Sequence, residues 1–132
     1  MLKHLLTVLA FMIVTFGVQG LSHFVINKAH FASIGFAREN PIMPLGFAVM
    51  IIQGFILSFA MTYVGPNPVT LWSGIILSLT FGLFLGSYIA LAEPAKYAAP
   101  SVLAWVRVEA LASFTQFTIF GALLALIHQR FG

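Results

Sequence analysis

Residues 40–92 read NPIMPLGFAVMIIQGFILSFAMTYVGPNPVTLWSGIILSLTFGLFLGSYIALA, and no side chain in this run carries a formal charge. A helix that crosses the hydrocarbon core of a membrane needs about 20 mostly apolar residues, so the run is long enough for two crossings. The sequence Gly65-Pro66-Asn67-Pro68 breaks the run in the middle, because these residue types favour turns and proline cannot continue a helix. The run therefore predicts two membrane-spanning helices, at about residues 44–64 and 69–92.

The flanking sequence adds one predicted span on each side. Lys3 and Lys28 bracket an apolar stretch that predicts a span at about residues 5–27. This stretch is longer than the apolar region of a signal peptide, so we expect it to stay in place as a membrane anchor. The fourth predicted span covers about residues 101–128. Because only helices and closed barrels satisfy the backbone in lipid, we predict an all-α, four-transmembrane-helix bundle that forms a single integral membrane domain, residues 1–132.

The composition supports a membrane protein and excludes several other classes. Of the 132 residues, 61% are hydrophobic and only 7% are charged, whereas a soluble domain has about 25% charged residues. Mean hydropathy is +1.04. The six Lys and Arg residues are scattered singly and form no phosphate-binding stripe, so we expect no nucleic-acid partner. The absence of cysteine excludes disulfides and thiol chemistry.

Four spans fix which loops share a side of the membrane. Both chain ends and the 65–68 turn lie on one side, called side A, and the loops 28–43 and 93–100 lie on the other, called side B. Side B carries slightly more Lys and Arg than side A, which favours side B as the cytoplasmic face. A bias this weak is also compatible with dual topology and antiparallel dimers, although we favour a single orientation.

Most polar residues that could carry chemistry fall toward side B. The polar side-B cluster comprises seven residues that could line a ligand site or an ion path: His23, Asn27, Arg38, Glu39, Arg107, Glu109 and Gln116. Charged side chains at membrane depth are costly and are usually functional or paired. The alternative interpretation is that these residues pair and hydrogen-bond within the bundle or at the membrane interface. We expect no metal site, because a single histidine in a span and a His-x6-His spacing do not make one.

Five small residues in the third span recur at every fourth position. This small-residue ridge comprises Gly74, Ser78, Gly82, Gly86 and Ala90. Small residues on one helix face allow two backbones to approach closely, which is a main source of helix association in lipid. We expect the ridge to pack within the bundle, and a contact between two copies of the chain is the alternative.

The chain has no recognisable catalytic motif. No Ser-His-Asp set, HExxH sequence, phosphate-binding loop or closely spaced carboxylate pair is present. The sequence therefore favours a non-enzymatic accessory or structural subunit without a cofactor. We expect it to contact membrane lipid and to form a homo-oligomer or bind a partner membrane protein. The alternatives are a small oligomeric transporter or channel, with a polar path near Glu109, Arg107 and His23, and, less favoured, a haem or quinone site near His23.

The overall layout resembles a family of small bacterial four-helix membrane proteins of uncharacterised function. The resemblance spans the whole chain and rests on three features: a first span that ends in a polar loop, the glycine-spaced third span Gly74–Gly86, and a fourth span that ends near Gly121. It implies the four-helix fold and a location in a bacterial inner membrane. It implies no activity.

Overall fold

The structure, a computed structural model, describes all residues 1–132 and is 83% helical without strands. Four helices are long and apolar enough to cross a membrane: Leu2–Ile26, Met43–Val64, Leu71–Lys96 and Val102–Phe131. This arrangement confirms the predicted all-α, four-helix fold class. Four such helices are typical of a multi-pass membrane protein.

Two of the long helices contain a π-helical segment. The first consists of α1 (Leu2–Leu21) and the π-helical segment Ser22–Ile26, and the short α2 (Lys28–Ser33) follows it. The second and fourth spanning helices are α3 (Met43–Val64) and α6 (Val102–Phe131). The third consists of α4 (Leu71–Ser87), the π-helical segment Tyr88–Ala92 and α5 (Glu93–Lys96).

Local capping sets the helix starts. Thr70 and Ser73 form a capping box, in which each side chain accepts a hydrogen bond from the other residue's backbone N–H. This box explains why α4 begins at residue 71 rather than at the predicted 69. Ser101 caps α6 by accepting a hydrogen bond from the Ala104 amide at 3.2 Å. Pro44 lies in the first turn of α3, where a missing amide proton costs nothing.

The four long helices pack in the spatial order α3, α1, α6, α4. The main contacts join α1 to α3, α1 to α6 and α4 to α6, whereas the consecutive helices α3 and α4 touch little. Helices α1 and α6 therefore occupy the centre of the bundle, and α3 and α4 lie at its two edges.

An apolar core fills the space between the central helices. Phe11 of α1 and Phe120 of α6 are completely buried and pack edge to face, with ring centroids 5.0 Å apart. Leu57 and Met61 of α3 and Leu124 of α6 complete the most buried part of the core. Large apolar side chains on the outer faces remain exposed, as expected where a helix faces lipid.

Candidate functional site

The small-residue ridge packs against α6 of the same chain. Its five members are all buried: Gly74, Ser78, Gly82, Gly86 and Ala90. A Cβ atom added at Gly74 would lie 2.5 Å from the carbonyl oxygen of Gly121, so the two backbones are in close contact. The hydroxyl of Ser78 donates a hydrogen bond to the carbonyl of Phe117 at 2.7 Å. This face of α4 therefore packs against α6 of the same chain, and its side-B end, at Gly82, Gly86 and Ala90, also borders a groove between the two helices.

The polar side-B cluster does not come together as one site. Two of its seven members, Asn27 and Arg107, line a common groove of about 580 Å³ between the first helix and α6. Ser22 and His30 line the same groove, and the rest of its wall is mainly apolar. The other five members of the cluster lie elsewhere.

His23 is packed against its own helix and against α2. Its Nδ1 donates a hydrogen bond to the carbonyl of Gln19 at 2.8 Å. Its ring stacks on Phe31, with centroids 3.7 Å apart and planes at 16°. His23 thus holds the π-helical end of the first span to α2 and does not line the groove.

The charged members of the cluster lie in different surroundings. Arg38 and Glu39 are exposed in the loop between α2 and α3. Arg107 is exposed and lines the groove, whereas Glu109 is half-buried and lies at helical spacing from the buried Gln116. Two residues apart on α6, Arg107 and Glu109 face different directions and do not form a pair.

Gln116 belongs to a hydrogen-bonded chain inside the bundle. Its side-chain oxygen accepts a hydrogen bond from Gln19 Nε2 at 2.9 Å, and its Nε2 donates to Thr15 Oγ1 at 3.0 Å. Gln116 is only 5% exposed. These hydrogen bonds link α6 to α1 near the middle of the bundle. They provide partners for polar groups that lipid cannot hydrogen-bond.

A second buried polar network lies at the side-A end of the bundle. Ser58 Oγ is 2.8 Å from His4 Nδ1 and 3.1 Å from His128 Nε2. Thr7 Oγ1 lies 3.4 Å from the same His128 nitrogen and donates a hydrogen bond to the carbonyl of Lys3 at 2.8 Å. The side-A network, defined as His4, Thr7, Ser58 and His128, joins α1, α3 and α6 and is buried throughout.

Sequence reasoning missed the side-A network. The topology placed His4 and His128 on the same side of the membrane, and Thr7 lies one helical turn from His4. The shared membrane side of the two histidines was the sequence signal that could have predicted a polar network there. Ser58 carried no signal of its own, because a single serine in an apolar helix usually bonds to its own backbone.

The donor and acceptor roles in the side-A network are constrained by the single proton of the Ser58 hydroxyl. A serine hydroxyl has one proton, so Ser58 can donate to one histidine and must accept from the other. Ser58 and Thr7 are completely buried, so neither hydroxyl can reach a substrate as a nucleophile. No group of three or more His, Cys, Asp or Glu residues that could hold a metal ion occurs in the structure. The network therefore links three helices through two hydroxyl groups that no substrate can reach.

A polar cavity of about 370 Å³ lies next to the side-A network. Its polar lining includes Lys3, Thr62, Asn67, His128 and Gln129. Gln129 Nε2 donates a hydrogen bond to the carbonyl of Val69 at 3.0 Å, which fixes the end of α6 against the turn between α3 and α4. His128 thus connects the buried network to the side-A surface.

An apolar layer separates the two polar groups of the interior. Gln116 and His128 are 12 residues apart on α6, which corresponds to about 18 Å along the helix axis. Phe120 and Leu124, which lie between them, are completely buried, as is Phe11 of α1. The interior of a single chain is therefore closed to water between its two polar groups.

No protein family matches this chain, and no curated protein or solved structure is significantly similar to it.

Proposed function

We propose that the chain is a non-enzymatic accessory subunit in a bacterial inner membrane, where it binds another membrane protein and performs no turnover of its own. The observation that carries the proposal is the closed interior. Three completely buried side chains fill the bundle between the hydrogen bonds of Gln116 and the side-A network: Phe11, Phe120 and Leu124. A single chain thus has no aqueous path from one side to the other.

The use of the interior polar groups also supports a structural role. Gln116 and Ser58 are hydrogen-bonded to partners on other helices of the same chain. Polar bonds of this kind hold helices together in lipid, where apolar surface gives no hydrophobic driving force for association. Side chains committed to such bonds are poorly placed to bind or transform a substrate.

An outward-facing groove between α4 and α6 offers a surface for a partner helix. The groove has a volume of about 600 Å³ and a mainly apolar lining. Small residues from both helices contribute to it: Gly82, Gly86, Ala90, Ala110 and Ser113. Small side chains let another transmembrane helix approach closely enough for extensive van der Waals contact.

Native mass spectrometry of gently solubilised membranes tests the proposal. We expect a complex with another chain at a fixed stoichiometry, and we expect Ala110→Trp to abolish it by filling the groove. Gly17→Trp is the matched control, because Gly17 is exposed on α1 and an added Cβ meets no atom within 4 Å. Recovery of a homo-oligomer without another chain, or a complex that Ala110→Trp leaves intact, would contradict the proposal.

A small oligomeric transporter or channel is the second candidate. It is favoured by three polar residues on α6 that are buried or half-buried: Glu109, Gln116 and His128. A path along α6 requires the layer around Phe120 to open. Proteoliposome flux from the purified chain, lost in Glu109→Gln, would favour this candidate. The polar path suggested near Glu109, Arg107 and His23 requires all three residues to line it, and Arg107 alone of the three lines the groove between the first helix and α6.

A further inference from the structure

The groove between the first helix and α6 has a polar end and an apolar end. Arg107 and His30 lie toward side B, and Ile119 lies deeper in the membrane. Arg107 and Ile119 are 12 residues apart on α6, about 18 Å along the axis. Half of a hydrocarbon core about 30 Å thick is about 15 Å. The groove therefore has the length of one acyl chain in one leaflet.

The polar end of this groove is positive. Arg107 is exposed, and none of the 13 lining residues is acidic. His30, which lines the same end, has its Nε2 atom buried without a hydrogen-bond partner. Because that nitrogen has no accessible surface, the donor that can reach the oxygen atoms of a phosphate group is the exposed Arg107 guanidinium.

The apolar part of the groove matches a hydrocarbon chain. Eight of its 13 lining residues are hydrophobic, and the volume is about 580 Å³. The first helix is π-helical at residues 22–26, where Ser22 and Ile26 line the groove. Asn27 Nδ2 donates a hydrogen bond to Ser22 Oγ at 2.9 Å, which ties the end of the π-helical segment back onto its first residue.

We propose that this groove binds an anionic phospholipid. The phosphate accepts hydrogen bonds from Arg107, and one acyl chain lies along the apolar wall past Leu111 toward Ile119. The positive charge of Arg107 favours an anionic headgroup, and the long apolar wall of the groove favours a lipid over free phosphate. This groove shares Leu111 with the α4–α6 groove, but its other lining residues are different, and the proposal does not depend on the accessory role proposed above.

Lipid titration of the delipidated, detergent-solubilised chain tests the headgroup contact. Native mass spectrometry counts the phosphatidylglycerol or phosphatidylcholine molecules that remain bound. We expect phosphatidylglycerol to bind at least about tenfold more tightly than phosphatidylcholine, because the choline ammonium neutralises the phosphate of phosphatidylcholine and repels Arg107. Arg107→Gln should remove this preference, whereas Arg130→Gln, at the other end of α6, should retain it. Equal binding of the two lipids, or a preference that survives Arg107→Gln, would overturn the proposal.

A groove-filling variant separates a lipid from a free phosphate. Thr115 is exposed and lines the apolar wall, so Thr115→Trp should weaken phosphatidylglycerol binding about tenfold or more without harming the fold. Leu126→Trp is the control, because Leu126 is exposed on α6 outside the groove. Full binding to Thr115→Trp, together with competition by millimolar inorganic phosphate, would show a simple anion site and refute the lipid assignment.

Discussion

Replacing Gly74 by alanine is expected to destabilise the bundle at the contact between α4 and α6. The new Cβ would lie 2.5 Å from the carbonyl oxygen of Gly121, 2.6 Å from the Cβ of Ala125 and 2.9 Å from its amide nitrogen. Two of these three atoms belong to helix backbone, and none belongs to a flexible side chain. The helices must therefore move apart, and overpacking of this kind costs about 1–3 kcal/mol.

The helix propensity of alanine acts in the opposite direction. Alanine is favoured over glycine in a helix interior by up to about 1 kcal/mol, which offsets part of the steric cost at Gly74. Gly17→Ala is the matched control, because Gly17 lies within α1 and an added Cβ there meets no atom within 4 Å. The propensity gain is common to both variants, so the difference between them isolates the steric cost.

Reversible unfolding in mixed micelles, titrated with sodium dodecyl sulfate and followed by tryptophan fluorescence, measures the difference. We expect Gly74→Ala to unfold more easily than Gly17→Ala by about 1–3 kcal/mol, which is about 5- to 140-fold in the unfolding equilibrium constant. Equal stability of the two variants would refute the close contact between α4 and α6. A Gly74→Ala variant more stable than Gly17→Ala would do so as well.

The two interior polar groups give further predictions for the same unfolding assay. Ser58→Ala leaves His4 Nδ1 and His128 Nε2 without their shared hydroxyl, so we expect a loss of about 1 kcal/mol; an unchanged midpoint would show that the side-A network contributes nothing. Gln116→Leu leaves the side-chain amide of Gln19 without its hydrogen-bond acceptor and should also lower the free energy of unfolding by about 1 kcal/mol. The double variant Gln19→Leu/Gln116→Leu should recover most of that loss, and an additive loss would contradict the pairing.

The sequence predicted the spans because long apolar runs leave few alternatives. Without a formal charge over residues 40–92, only the Gly-Pro-Asn-Pro turn could divide the run. The small-residue ridge was also visible, since a spacing of four places its members on one helix face whatever the tertiary fold. Periodicity along one helix, however, does not say which neighbour the face contacts, and the packing of Gly74 against Gly121 required the structure.

The candidate sites were less predictable because they depend on which helices are neighbours. Span counting sorts residues by membrane side but not by position around the bundle. The sequence therefore placed Arg107 and Glu109 in the same polar side-B cluster, although they face different directions on α6. The side-A network depends on His4 and Ser58, which are 54 residues apart, and on the contacts of α1 with both α3 and α6.

The distribution of polar residues explains how helices without a hydrophobic driving force find a single register. Lipid is as apolar as leucine, so the apolar core alone would allow α1 and α6 to slide past one another. The Gln19–Gln116 bond and the contact of His128 with Thr7 join these two helices at separate levels. Polar contacts at two levels fix the relative shift, just as one buried asparagine fixes the register of a coiled coil. The interior polar residues thus specify the bundle, which leaves its outward grooves as the surfaces available for function.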